Sequence, residues 1–401
     1  MSLDKRKLLA LAAIGTIATV AAVSPGLASA QQKPPVKLGL ITAITGPLAS
    51  YGKIQEILVK LAVEDINAKG GINGSPLQLD IGDAATDPGQ SVLLFRKYVG
   101  EGYFGVVGPM TGTQWETVSP LANQVGMPAI SVNAVKPGIT IRPWTIRLQP
   151  PDDTLMPEGL KAFLKAYPKT KKVVIVADVR EASSKASADA YVKLAAQSGL
   201  QLLDTVEFSS KATDLSAAAI QIKSHNPDAI LAAAFPAQAM LLAKEFNVQG
   251  IKAPVLNTAI LWSGPFINMA GELGRNWNVI GFSTNAAGLP GYTDDALYQS
   301  VVKRVMQRAD PSVGVPPNLA NWSIGYDAVL LYADIMRRNG IDGATDPKKA
   351  RETIKNEFLK LKNFSGVYKY TMRDTGDAHM PATILAADVE QKVWKFVPAA
   401  R

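Results

Sequence analysis

The stretch VKLGLITAITGPLASYGKIQEILVKLAVEDINAKGG, Val36 to Gly71, contains one complete unit of the fold. Val36 to Thr42 is a short apolar run that reads as a strand. A turn with Gly46 and Pro47 follows, and then Ile54, Ile57, Leu58, Leu61 and Ala62 recur at the spacing of one helical face until Gly70-Gly71 stops the helix. Further along, Leu77 to Ile81, Phe104 to Val107 and Ala129 to Val132 read as strands, with helices near Gln90 to Val99 and Thr113 to Gln124 between them. Short apolar segments alternating with helical patterns predict βαβ units and a parallel sheet.

A second series begins after Gln149-Pro150-Pro151-Asp152, where two consecutive prolines interrupt any helix and mark a crossover. It comprises helix Thr154 to Ala166, strand Lys172 to Ala177, helix Ser184 to Ser198, strand Gln201 to Val206, helix Leu215 to Ser224 and strand Ala229 to Ala232. A linker with Gly and Pro, Ser283 to Gly291, marks a second passage, followed by helices over Asp295 to Gln307 and Leu319 to Arg338. A third passage falls near Arg373 to Gly376. The expected fold class is therefore α/β, with two doubly wound Rossmann-like lobes joined by a hinge that the chain crosses repeatedly. Residues 31–150 plus 285–372 form one lobe, and 151–284 plus 373–401 the other. Ligands of open α/β sheets sit beyond the carboxyl ends of the strands, so the loops directly after each strand are where a site is expected.

The chain of 401 residues is 47% hydrophobic and 19% charged, enough for two cores. Its first thirty residues read as a leader: Lys5, Arg6 and Lys7 precede an apolar stretch from Leu8 to Val23, and Ala28-Ser29-Ala30 supplies small residues for cleavage. Diluted by Gly15 and Thr16, that stretch falls short of the ~20 residues that cross a bilayer. The expectation is a signal peptide over 1–30 and a soluble, periplasmic remainder. There is no cysteine, hence no disulfide and no thiol for lipidation. Formal charge is +8; the leader holds three basic residues and one acidic, leaving +6. Basic residues are interspersed with carboxylates and form no dense patch with aromatics, which argues against nucleic-acid binding.

At the post-strand loops the sequence resembles the type I periplasmic binding proteins of ABC transporters, in particular the leucine/isoleucine/valine-binding branch. Four segments carry the resemblance: Leu38 to Thr42 running on through Thr45-Gly46-Pro47 to Gly52; Ala62 to Gly74; Gly105-Val106-Val107-Gly108-Pro109 continuing to Pro128 and Ser131; and Tyr326-Asp327-Ala328. In this order they extend over essentially all of the chain after the leader. The resemblance implies a Venus-flytrap protein, a monomer with no cofactor, that closes over one small molecule and hands it to a permease in the inner membrane. The permease carries the ATP-driven step, and no Gly-x-x-x-x-Gly-Lys-Ser/Thr motif or helix-opening Gly-x-Gly-x-x-Gly occurs here.

In amino-acid-binding relatives a serine or threonine pair and backbone N–H groups hold the carboxylate, while an acidic residue of the second lobe meets the ammonium. Against that pattern Gly112 stands where the carboxylate-binding serine is expected, flanked by Thr111 and Thr113, and Val135 replaces a threonine. The acidic position falls at Thr258-Ala259-Ile260, which holds no carboxylate. An ammonium buried without a counter-charge is costly, so this comparison favours a carboxylate without an amine, such as an aromatic acid. The candidate ligand residues are Tyr51, Met110, Thr111, Gly112, Thr113, Gln114, Asn133, Ala134, Arg180, Phe235, Gln238 and Ala259, with Trp115 and Trp262 as further aromatic walls. Tyr51 or Phe235 would stack on a ring, and Thr113 or Arg180 would hold an anion. Each has a plainer role available. Tyr51 is an ordinary loop tyrosine, Thr113 a helix cap, Arg180 a partner for Glu181 or another carboxylate, and Phe235 core; Arg147 reads as a hinge-stabilising residue.

Enzyme readings have little support. The two histidines, His225 and His379, lie far apart without a nucleophile elbow or cysteine, so neither a catalytic triad nor a transition-metal site is expected. Glu64 and Asp65 read as solvent-facing helix residues. A branched-chain or other amino acid as ligand, and a ligand-sensing module serving a partner receptor, remain the alternatives.

Overall fold

The computed structural model describes residues 33–209, 211–262, 266–282, 294–310 and 323–397. The leader, the linker at 283–291 and the start of the late helix at 319–322 lie outside the described residues. The first sheet is wholly parallel, in the order β2-β1-β3-β4-β5, built from β1 (Val36–Thr42), β2 (Leu77–Asp83), β3 (Gly105–Val107), β4 (Ala129–Ser131) and β5 (Thr145–Arg147). Its helices are α1 (Ala49–Ala68), α2 (Pro88–Gly100) and α3 (Gly112–Val125). Strand β1 lies inside the sheet between β2 and β3, with Val36 beside Leu77 and Leu40 beside Val107, and is buried along nearly its whole length, as a parallel strand covered on both faces must be. On α1 the predicted apolar face holds: Ile54, Leu58, Leu61 and Ala62 are buried, and Ile57 is half-buried. Each large aliphatic residue so buried contributes about 1.5–3 kcal/mol. The helix ends where Gly70 and Gly71 take positive φ (89° and 73°), a conformation that costs a residue with a Cβ.

The chain then enters a second sheet, ordered β15-β14-β10-β9-β8-β6-β7. Strands β6 (Lys172–Ala177), β7 (Gln201–Glu207), β8 (Ala229–Ala233), β9 (Val255–Asn257) and β10 (Trp277–Phe282) are parallel, and β14 (Ala382–Asp388) and β15 (Val393–Phe396) close one edge antiparallel. The helices here are α4 (Asp152–Ala166), α5 (Ala182–Gln197), α6 (Ser216–His225), α7 (Pro236–Gln249), α8 (Ala259–Trp262) and α9 (Phe266–Ala270). Helices α10 (Asp295–Arg308) and α11 (Ile324–Arg338) pack back against α1 on the first sheet, and α12 (Pro347–Lys360) packs on α11. A small antiparallel sheet, β11 (Asn363–Ser365), β12 (Lys369–Met372) and β13 (Ala378–His379), leads into β14. The fold class is therefore the α/β architecture anticipated above, with a mixed second sheet that the periodicity did not reveal.

Between β5 and α4 the chain passes from one sheet to the other through residues 148–151. This passage is pinned by Arg147, fully buried, whose Nε donates to Asp377 Oδ1 at 2.9 Å and whose Nη1 donates to the carbonyls of Ala134 and Lys136. Asp377 also accepts from Thr140 and Thr375, so the buried charge is paired and its remaining lone pairs are used. The reading of Asp65 as solvent-facing is corrected, whereas Glu64 is exposed as expected and forms a surface ion pair. Asp65 takes a two-pronged bond from Arg304 of α10 at 2.6 and 2.8 Å and another from Tyr326 at 2.7 Å, and Glu64 does the same with Arg308. These pairs fasten α10 to α1.

Candidate functional site

A cleft of ≈ 500 Å³ opens where segments following the strands of both sheets meet. Leu48 follows β1, Thr86 and Asp87 follow β2, and Thr111 and Thr113 follow β3. From the second sheet come Arg180 and Glu181 after β6, Lys211 after β7, and Phe235 and Gln238 after β8. All lie at the carboxyl ends of their strands, where the topology leaves room for a ligand.

The first wall is the N-terminus of α3. Thr111 caps it: its Oγ1 accepts from Gln114 N at 3.3 Å, and its own N–H donates to Gln114 Oε1 at 3.0 Å, a reciprocal capping box. Gln114 donates its amide to Ser91 Oγ at 2.8 Å and is thereby turned away from the cleft. Trp115 is fully buried and donates to the Pro109 carbonyl, and Trp262 is equally buried, edge-on to Phe282. Neither indole lines the cleft, so these two aromatic walls of the sequence reading belong to the core.

Across from α3 stands the N-terminus of α5, close enough for direct bonds. Thr113 Oγ1 accepts from Ala182 N at 3.1 Å and donates to Glu181 Oε1 at 3.4 Å. A Cβ placed on Gly112 would lie 2.4 Å from Ser183 Oγ, so this approach requires glycine there. The two sides of the cleft touch beside the cavity.

Behind the cleft lie two small chambers, ≈ 20 and ≈ 10 Å³. The larger has apolar walls from Leu48, Tyr51, Met110, Val135, Phe235 and Ile260, with Asn133 and Gln149 as its polar members. Tyr51 is 4% exposed, and its hydroxyl donates to the Ile260 carbonyl at 2.9 Å; burial pushes its phenol well above the usual range. Met110 Sδ accepts from Thr42 Oγ1. Asn133 Oδ1 is buried with no partner among the described residues. The second chamber shares Val135, Phe235 and Ile260 and adds the serines of α5: Ser183, Ser184 and Ser187. Ala134 and Ala259 are buried beside these walls without lining them, and the Ala134 carbonyl is taken up by Arg147.

The charges correct the sequence reading most. Thr258-Ala259-Ile260 indeed carries no carboxylate, yet Asp178 and Glu181 line the cleft from the second sheet and Asp87 from the first. Each is already engaged. Asp87 caps α2, accepting from Gln90 N at 2.7 Å, and Glu181 caps α5, accepting from Ser184 N at 2.8 Å. Asp178 accepts from Arg180 N at 3.0 Å and sits 3.6 Å from Arg180 Nε. Burial raises the carboxyl of Glu181, opposed by the bonds from Ser184 and Thr113. Of the cations, Arg180 has a side chain 65% exposed and only that long pairing, and Lys211 makes no ion pair among the described residues. Sequence reasoning missed Leu48, Thr86, Asp178, Glu181, Ser183, Lys211 and Ile260. Asp178 and Glu181 flank Arg180 in the same post-strand loop, and that adjacency was the available signal. Among the described residues there is no cluster of three metal-ligating side chains and no helix long and apolar enough to cross a membrane.

The comparisons with known proteins accord with this geometry. Residues 35–392 match the family model described as periplasmic binding protein. The Leu/Ile/Val-binding protein BraC3 of Rhizobium johnstonii is 31% identical over 223 residues, covering 55% of this chain and 60% of that protein. The Leu/Ile/Val-binding protein of Escherichia coli is 26% identical, with 59% and 65% covered, so the matched stretch spans less than two thirds of these relatives. A Leu/Ile/Val-binding protein homolog of Brucella melitensis is 25% identical with 86% and 89% covered. The fold is similar to that of the leucine-binding protein LivK of Thermotoga maritima, at TM-score 0.77 and 20% identity, covering 90% of this chain and 98% of that one. The chain thus belongs to the periplasmic binding protein family.

Proposed function

We propose that this chain is the solute-binding component of an ABC transporter, exported by its N-terminal leader, and that its ligand is a small organic acid with an apolar, preferably aromatic, body. The observation that carries the ligand class is the imbalance of engagement in the cleft. Asp87, Asp178 and Glu181 all accept bonds from their own turns and helix starts, while Lys211 and the exposed guanidinium of Arg180 hold charge in reserve for an anion. The N-terminus of α3 adds a field favourable to an anion, and Leu48 and Phe235 offer apolar surface to the body. Binding without conversion follows from a cleft in which Asp178 and Glu181 are tied into a turn and a helix cap and offer no free base.

A second reading, an α-amino acid with an apolar side chain, is favoured by the carboxylates of Asp178 and Glu181 and by the names of the relatives, which bind leucine, isoleucine and valine. Isothermal titration of the purified protein with benzoate, 4-hydroxybenzoate, leucine and valine separates the two. The organic-acid reading expects the aromatic acids to bind and to raise the melting temperature; binding of leucine with none of benzoate-like acids transfers the assignment to amino acids. Handing the ligand to an inner-membrane permease, as a monomer, completes the proposal. Co-purification with candidate ABC permeases of the same organism is the test of that step.

A further inference from the structure

The two chambers beside the cleft are lined by two residues with unpaired buried atoms. Asn133 Oδ1, on the segment after β4, and Ser183 Oγ, in the first turn of α5, are buried and make no hydrogen bond among the described residues. Their polar neighbours are occupied. Ser184 Oγ donates to the Ala233 carbonyl at 2.6 Å, the single Ser187 hydroxyl proton is shared between Asp152 and the Ser183 carbonyl, and Gln149 Nε2 donates to Pro150 O. The remaining walls are apolar and shared by both chambers at Val135, Phe235 and Ile260. A buried acceptor left unpaired is expensive, so an unpaired couple persisting beside a ligand cleft marks a place where something else supplies the bonds.

We infer that Asn133 and Ser183 form a specificity subsite that reads a hydroxyl or amino substituent at the inner end of the ligand. The inference rests on the organic-acid reading above and adds the second end of the molecule. The dimensions support it. Chambers of ≈ 20 and ≈ 10 Å³ admit a group the size of one water and exclude a ring, which has room only in the ≈ 500 Å³ cleft in front of Phe235. The anion then lies at the outer end, near Arg180 and Lys211, and the donor substituent at the inner end. Asn133 Oδ1 accepts from that substituent, and the Ser183 hydroxyl, which both donates and accepts, completes its shell. A site built to satisfy a polar substituent discriminates against the analogue lacking it, because its own polar atoms are then left unpaired.

The test is titration calorimetry of the full chain after removal of its leader, with benzoate and 4-hydroxybenzoate, on the wild type, Asn133→Leu and Ser183→Ala. Wild type is expected to favour 4-hydroxybenzoate about ten-fold. In Asn133→Leu, similar in volume and apolar, that preference falls to about two-fold or less; Ser183→Ala, a smaller change that keeps the helix, reduces it in the same direction. Equal affinity for the two acids in wild type, or a preference surviving both substitutions, overturns the subsite while leaving the organic-acid reading in place. No binding of either acid alongside clear binding of leucine overturns the organic-acid reading and the subsite with it.

Discussion

Tyr51 of α1 donates its hydroxyl to the carbonyl of Ile260, on α8 of the second sheet, at 2.9 Å, joining residues 209 positions apart across the inner end of the cleft. This bond and the Thr113 contact with Ala182 and Glu181 flank the cavity, so the helices of the two sheets are joined by protein groups on both sides of it. Tyr51→Phe keeps the ring and removes only the latch. We expect ligand affinity about five- to ten-fold weaker, mainly through faster dissociation, with melting temperature in the absence of ligand nearly unchanged. Stopped-flow release kinetics check this, and an unchanged dissociation rate would count against the latch.

Gly112 faces Ser183 with no space for a methyl group. Gly112→Ala should therefore hold the two sides apart and weaken binding more than ten-fold, while the fold tolerates the change because the residue opens a helix in which alanine is favoured. Adding Ser183→Gly relieves the encounter with Oγ and should restore part of the affinity. A purely additive loss in the double variant, measured by titration calorimetry, would show that the two residues do not meet in the bound state.

Asp152 begins α4 just after the crossover, is 1% exposed, and accepts from Ser187 with one oxygen while the other has no partner among the described residues. Burial is the largest influence on its carboxyl, opposed by the bond from Ser187 and by the charge of Arg147, and pushes it up to about 7. A carboxyl raised in the folded state binds more protons there than in the unfolded chain. Its contribution is therefore fully present below about pH 4 and is lost as pH rises toward 7, the reverse of a salt-bridged aspartate. Asp152→Asn removes this dependence, keeps an acceptor for Ser187, and should stabilise the protein at pH 8 by on the order of 3 kcal/mol. Urea melts of both proteins between pH 4 and pH 8 measure it; parallel curves would refute the assignment.

Asp327 of α11 is likewise buried and raised to about 7, but its carboxylate accepts from Val367 N at 2.6 Å, Tyr368 N at 3.0 Å and Tyr370 Oη at 2.6 Å. An asparagine here would turn an amide donor toward one of three donors. Asp327→Asn is accordingly expected to destabilise by about 1–3 kcal/mol, opposite in sign to Asp152→Asn, and to loosen the turn between β11 and β12. Thermal melts at neutral pH compare the two.

Arg147 and Asp377 are buried together at the crossover. Arg147→Met strands a carboxylate and should cost about 3–5 kcal/mol, whereas adding Asp377→Asn should recover much of that loss. Chemical denaturation of the single and double variants gives the coupling, and a double variant no more stable than Arg147→Met would contradict the pairing.

The sequence by itself determined the α/β class, nearly all of the strands and helices of the first sheet, the family resemblance, and the loops in which a site had to lie, because hydrophobic periodicity and glycine stops are local properties of the chain. Strand β5 escaped it, since three residues ending in a buried arginine carry no apolar signal. Strands β14 and β15 escaped it too, since β14 depends on pairing with β10, a segment about a hundred residues earlier, and β15 is held in the sheet only through β14. The site divided along the same line. Tyr51, Met110, Asn133, Phe235 and Gln238 were legible from their position after strands, and all five line the cleft or its chambers. That Gln114 turns inward to Ser91, that Trp115 and Trp262 are core, and that the cleft takes its carboxylates from Asp178 and Glu181 was decided only by tertiary structure. Side-chain direction and the pairing of charges are set by which neighbours arrive from the other sheet, and no local pattern encodes that.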